Sequence, residues 1–195
     1  MFVQVIQGRA GDQEGLRRQF EGWETDVRAG AIGFLGSTHG LTDDGEFLAC
    51  ARFESEEAAR RNSDRAEQSN WWNETSKYFD GDVTFHDSTD IIEFGRGGSD
   101  DAGFVQVIQG RVTDADAMRA AMADRPDDNT VRPDVVGGYT ALHDGDRFTT
   151  VVYFTSEEEA RAGESKPEFS EAQQEMAQSM QDVRYYDLRS PTMVS

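Results

Sequence analysis

The chain has 195 residues, 36% hydrophobic and 10% aromatic, with a net charge of −19 and one cysteine, Cys50. No apolar run approaches the ~18 residues that a membrane helix needs. A lone cysteine excludes an internal disulfide or a cysteine-rich metal site, and so acidic a surface repels nucleic acid and anionic membrane. The N-terminus enters strand-like sequence without a basic, apolar leader, so the expectation is a soluble cytoplasmic protein with no nucleic-acid or membrane partner.

Phe2-Val3-Gln4-Val5-Ile6-Gln7-Gly8-Arg9 returns letter for letter as Phe104-Val105-Gln106-Val107-Ile108-Gln109-Gly110-Arg111, 102 positions later. A repeat of that length marks a duplication. The chain then divides into two similar halves of roughly 95 residues, each within the range of a small domain. The expected division is residues 1–94, a Gly- and Asp-rich linker over 95–103, and residues 104–195.

In the first half, residues 2–9 are rich in Val, Ile and Phe and predict a half-buried strand. Asp12 is an expected N-cap, and Leu16, Phe20, Trp23 and Val27 recur at helical spacing up to Gly30. A second strand is expected over Ala31–Thr38, where Gly33 and Gly36 imply close approach of a helix or a ligand. His39 to Gly45 reads as a connection with an Asp-Gly hairpin signal. Phe47–Phe53 follows as a third strand. Ser55 caps a second helix that runs towards Phe79, with a polar middle over Arg60–Gln68 where it breaks or bends. Val83–Asp87 is a fourth strand, and Ile91–Phe94 a short extra one.

The second half repeats this plan. Asp114 stands for Asp12, Met118 and Met122 for Leu16 and Phe20, and Ser156 for Ser55. Pro126 and Pro133 bracket a looser connection. Val135–Leu142 matches the second strand, with Gly137 set against Gly33 and His143 against His39, and Phe148–Phe154 follows after a shorter turn. Phe169, Met176 and Met180 replace the tryptophans at the end of the second helix. Strand, helix, strand, strand, helix, strand is the ferredoxin-like order.

This layout, with the Phe-Val-Gln-Val-Ile-Gln opening and the run Phe53-Glu54-Ser55-Glu56-Glu57-Ala58-Ala59, resembles the antibiotic biosynthesis monooxygenase group of the dimeric α+β barrel superfamily. The resemblance spans both halves. It implies an α+β fold of two tandem ferredoxin-like (βαββαβ) halves packed as an intramolecular dimeric α+β barrel. Each half then has a pocket between sheet and helices. Some members of the group oxidise electron-rich aromatic polyketides with oxygen and no cofactor, others bind and degrade haem, and many have no known activity. The expected partner is an aromatic small molecule, no cofactor or metal is expected, and further association of the pseudo-dimer stays open.

Asn70-Trp71-Trp72-Asn73 is the most distinctive local stretch. Neighbouring tryptophans on a helix point about 100° apart, so they cannot both face one core squarely. The resemblance supplies Asn, Trp and Tyr side chains as substrate-orienting groups. It makes Asn73 and Tyr78 catalytic candidates, and Asn70, Trp71 and Trp72 candidate substrate contacts. Gln4 and Gln7 lie on opposite faces of the first strand, so one of them faces a buried pocket or interface; Gln4 and Arg52 are further candidate substrate contacts. The competing reading makes Trp72 and Phe79 core anchors. His39 has the chemistry of a general base near neutral pH, or is a loop-end residue bonded to backbone. His86 reads as a packed sheet histidine or as a ligand. Gln4 and Gln7 stand where haem-degrading members carry an Asn, and the second helix lacks a histidine, which counts against haem. Gly95-Arg96-Gly97-Gly98 lacks a P-loop lysine and is set aside as a nucleotide site. The leading function is a cofactor-independent monooxygenase acting on a phenolic or quinone-like molecule. The alternative is a non-catalytic binding or structural barrel.

Overall fold

The computed structural model describes residues 1–95, 102–123, 132–164 and 171–195. Residues 96–101 of the expected linker, together with Pro126 and Phe169, lie outside the described residues. The rest divides into two compact units, Met1–Thr89 with Thr192–Ser195, and Asp90–Pro191. Among the described residues, no helix is long and apolar enough to cross a membrane.

The first unit contains β1 (Phe2–Arg9), α1 (Gln13–Asp26), β2 (Phe34–Leu41), β3 (Glu46–Phe53), α2 (Glu56–Ser63), α3 (Ala66–Thr75) and β4 (Thr84–Ser88). β1 lies between β3 and β4, and β3 pairs in turn with β2, all antiparallel. The second unit contains β5 (Asp90–Gly95), β6 (Phe104–Val112), α4 (Ala115–Ala123), β7 (Val135–His143), β8 (Arg147–Phe154), α5 (Glu157–Glu164), α6 (Glu171–Ser179) and β9 (Met180–Val194) as far as Pro191. There β6 lies between β8 and β9, and β7 between β8 and β5. β5 follows β4 directly in sequence, yet its backbone pairs with β7 and it belongs to the second unit. This is an α+β, ferredoxin-like arrangement of antiparallel strands and helices.

Local chemistry explains the boundaries. Asp12 Oδ1 accepts from the Gly15 amide at 2.9 Å, and Asp114 Oδ1 accepts from the Ala117 amide at the same distance. Ser55 and Ser156 cap α2 and α5 in the same way, accepting from Ala58 and Glu159 amides at 3.1 and 3.2 Å. Each such cap contributes about 1 kcal/mol. The long polar segment after Ser55 does break: Arg65 is extended, separating α2 from α3. There the Asn62 carboxamide accepts from the Ile32 amide at 3.1 Å and from Arg65 at 3.2 Å, tying the break to the approach of β2.

β2 begins three residues later than the sequence suggests and ends three residues later. Gly33 adopts φ +62, and a Cβ there would meet the Ala58 Cβ of α2 at 2.6 Å, so the chain turns at Gly33 instead of starting a strand. A bulge between Phe34 and Gly36 follows. His39 consequently sits inside β2, opposite Ala49, and is not part of the connection. Its burial, at 8% exposure, rules out the loop-end alternative.

Strand register also corrects the match between the halves. Leu41 pairs with Phe47, and Leu142 pairs with Phe148; His39 pairs with Ala49, and Thr140 with Thr150. The counterpart of His39 is therefore Thr140, not His143, and Gly137 corresponds to Gly36, not Gly33. Both bulges fall at matching places, Phe34/Gly36 and Val135/Gly137. The two hairpin turns are equal in length, so the second is not shorter.

In the first unit the helix-facing side of the sheet carries Ile6, Leu41, Phe47 and Ala49, covered by Leu16 of α1 and by Phe79. A second patch joins Phe2, Phe53 and Ala59. The second unit packs Phe94, Phe104, Val152 and Phe154 against Met122 and Ala160. Burial of such side chains contributes roughly 1.5–3 kcal/mol each and holds the helices on the sheet.

Candidate functional site

The helix-facing side of the first sheet brings chemistry-bearing residues to one place around His39. Its imidazole lies 4.6 Å from the Phe20 ring of α1, centroid to centroid, and 6.3 Å from the Phe47 ring of β3. Nδ1 is buried without a hydrogen-bond partner among the described residues. Desolvation by this apolar surround lowers the His39 pKa to about 4. The imidazole is thus neutral at physiological pH, with an unsatisfied polar atom inside an aromatic enclosure. Buried polar atoms are almost always paired, so an orphan invites a functional explanation.

The aromatic wall comes from α1 and α3. Trp71 stands edge-on to Phe20 at 5.2 Å and lies 6.3 Å from Trp23. Its indole Nε1 donates to the Gln19 carbonyl oxygen at 2.9 Å, which fixes α3 to α1. The Thr75 hydroxyl donates to the Trp71 carbonyl within α3 at 2.8 Å, and lies 3.4 Å from Gln19 Oε1 of α1. Trp72 points the other way round the helix. It meets Phe79 at 6.2 Å and, edge-on, Phe85 of β4 at 5.2 Å. Phe85 is 45% exposed, so this side of the aromatic cluster reaches solvent. Both tryptophans are half-buried, and each combines packing with a place in the wall.

The other expected residues divide. Tyr78 is half-buried beyond α3, and its ring covers Gly15, where a Cβ would meet a ring carbon at 2.3 Å. It packs on the same cluster as Trp72. Asn70 and Asn73 lie on the exposed face of α3, away from His39. Gln4 pairs with Ala51 and donates to Asp87 Oδ1 at 2.9 Å; Gln106 makes the same bond to Asp187 in the second unit. Its amide is thus committed to a repeated structural contact. Arg52 alternates with Ala51 and so faces the opposite side of the sheet, its guanidinium against Gly36. His86 also lies on that side, opposite Val5 in the register. His143, in the second unit, contacts Asp144 at 3.1 Å through Nδ1 and Thr149 at 2.9 Å through Nε2.

Sequence reasoning missed Phe20, Phe47 and Ala49 as site residues. Phe20 and Phe47 are legible only as core positions, because helical and strand periodicity report which face is buried but not what else is buried there. Gln19 leaves no sequence signal, since its role is played by a backbone carbonyl.

No protein-family model matches the sequence, and no curated protein matches it. Solved structures do. A candidate monooxygenase from Fusobacterium nucleatum subsp. nucleatum superposes with a TM-score of 0.79 at 10% identity, over 100% of this chain and 94% of that one. An anthrone oxidase-like protein gives 0.67 at 12% identity, over 98% and 92%. A ferredoxin-fold protein from Listeria monocytogenes 4b F2365, related to antibiotic biosynthesis monooxygenases, gives 0.52 at 11% identity, over 97% and 95%. This chain has their fold. At such identities the likeness concerns architecture, and the chemistry rests on the His39 cluster itself.

Proposed function

We propose that this chain is a cofactor-independent monooxygenase acting on a phenolic or quinone-like aromatic molecule, held between the helices and sheet of the first unit. The observation that carries this reading is the buried, unpartnered Nδ1 of His39 among Phe20, Phe47 and the Trp71–Trp72 wall. The names of its structural neighbours, a candidate monooxygenase and an anthrone oxidase-like protein, point the same way. In this reading the two units are a fused counterpart of a dimeric α+β barrel.

The chemistry starts from an activated methylene beside an aromatic ketone. His39 Nδ1 accepts its proton. A pKa near 4 makes the free imidazole a weak base, but an anionic substrate beside it favours the imidazolium and raises that pKa again. The resulting carbanion gives one electron to O2, the two radicals combine as a peroxide anion, and the His39 imidazolium returns its proton to make the hydroperoxide. Loss of water leaves a quinone carbonyl. One oxygen atom enters the product and the other leaves as water, with all electrons drawn from the substrate. The aromatic wall excludes water and confines the ring system beside Phe20 and Trp71.

Oxygen uptake by the purified protein with anthrone tests this. Uptake is expected and is expected to vanish in His39→Phe; equal uptake by that variant overturns the assignment. A second reading, a non-catalytic binding barrel, draws on the side chains of Leu16, Phe47 and Phe79 that fill much of the same interior. It predicts no oxygen consumption with anthrone, whether or not the anthrone binds.

A further inference from the structure

His39 and Ala49 face each other across β2 and β3, and register places Thr140 and Thr150 at the same positions of β7 and β8. In the second unit the two hydroxyls meet at 2.8 Å, with Thr140 0% and Thr150 4% exposed. Each hydroxyl thus has a buried partner within the protein, so neither is an orphan that a ligand would have to satisfy. In the first unit Ala49 contributes only a methyl group, and Nδ1 of His39 stays without a partner among the described residues. The surroundings differ in the same sense, because Trp23, Trp71 and Trp72 are the chain's 3 tryptophans and all belong to the first unit.

We propose that each chain carries one aromatic-ligand site, in the first unit, and that the residue pair at positions 39 and 49 decides this: His with Ala admits a ligand, whereas Thr with Thr closes the equivalent place. This rests on the reading of His39 as the polar anchor of the site. A phenolic hydroxyl supplies the hydrogen-bond partner that Nδ1 lacks. Ala49 is the specificity-determining residue, because a hydroxyl at its position would satisfy the histidine internally and compete with the ligand.

The test uses the full chain and 1,8-dihydroxyanthraquinone, which already carries its carbonyls and undergoes no turnover. Calorimetry counts every site on the chain, while tryptophan fluorescence reports the first unit alone. The expected result is one equivalent bound, with quenching that saturates at the same point. His39→Thr/Ala49→Thr is expected to weaken binding at least about tenfold, and Thr140→Ala/Thr150→Ala to leave it unchanged. If the first double variant does not fold by circular dichroism, His39→Phe takes its place with the same expected loss. Two equivalents per chain, wild-type binding by the His39 variants, or loss of binding in the second-unit variant overturns the proposal. Two equivalents would leave the monooxygenase reading standing, whereas absence of both heat and quenching would remove both.

Discussion

The His39 imidazole and the Phe20 ring lie 4.6 Å apart at an interplanar angle of 36°, so a titratable group is packed as though it were an aromatic core residue. That arrangement costs stability, because the buried Nδ1 has no partner to replace water. His39→Phe is therefore expected to stabilise the first unit by about 1–2 kcal/mol at neutral pH while abolishing oxygen uptake. Urea denaturation of the variant checks the first half of this statement; a destabilised variant contradicts it.

The same burial makes stability depend on pH. The folded His39 pKa is about 4, against 6.5 for the unperturbed group. On acidification the unfolded chain takes up this proton first. The stability of the protein therefore falls as pH drops through about 6.5 and stops falling from this source below about 4. At 1.36 kcal/mol per unit, the total is about 3 kcal/mol. Carboxylates titrate over part of the same range, so the measurement is the stability difference between His39→Phe and wild type. It is expected to widen from pH 7 to pH 4, and a constant difference contradicts the assignment.

Trp71→Phe removes the bond from Nε1 to the Gln19 carbonyl and loosens α3 on α1. A loss of about 1–2 kcal/mol is expected from the bond and the reduced packing together. Thermal unfolding followed by circular dichroism reads it. Asn73→Ala, on the exposed face of α3, is expected to change neither stability nor oxygen uptake appreciably.

Two glycines of α1 predict opposite outcomes for one substitution. Gly22 has nothing within 4 Å of an added Cβ, so Gly22→Ala gains helix propensity, about 0.5–1 kcal/mol. At Gly15 the Cβ would lie 2.3 Å from Tyr78 ring carbons, so Gly15→Ala displaces that ring and costs about 1–3 kcal/mol. A stabilising Gly15→Ala would show that Tyr78 is not held against α1.

Much of the strand and helix order was legible, because most strands are short and rich in apolar residues, and because Asp12 and Ser55 announce their helices; the 15-residue, largely polar β9 is the exception. The displacement of β2 was not, since it depends on the positive φ of Gly33 and on Ala58 arriving from α2, a contact made across 25 positions of sequence. The error propagated: aligning the halves by letters set His39 against His143, whereas hydrogen-bond register sets it against Thr140. Of the candidate site, the Trp71–Trp72 pair and His39 were recognisable by residue type. Asn70 and Asn73 were not separable from them, because helical phase decides exposure and a run of four covers every side of the helix.

Comparison of the paired strands shows where the two copies have changed length. Corresponding residues differ by 102 between β1 and β6 (Phe2, Phe104), by 101 between β3 and β8 (Phe53, Phe154) and by 100 between β4 and β9 (Phe85, Tyr185). Each step falls in a stretch that contains a helix, never within a hairpin. The duplicated module thus carries its own record of permitted edits: the helical crossovers accept deletion, and by the same token grafting or insertion, while the hairpins set a fixed ruler that a single added residue would upset on both sides of the sheet.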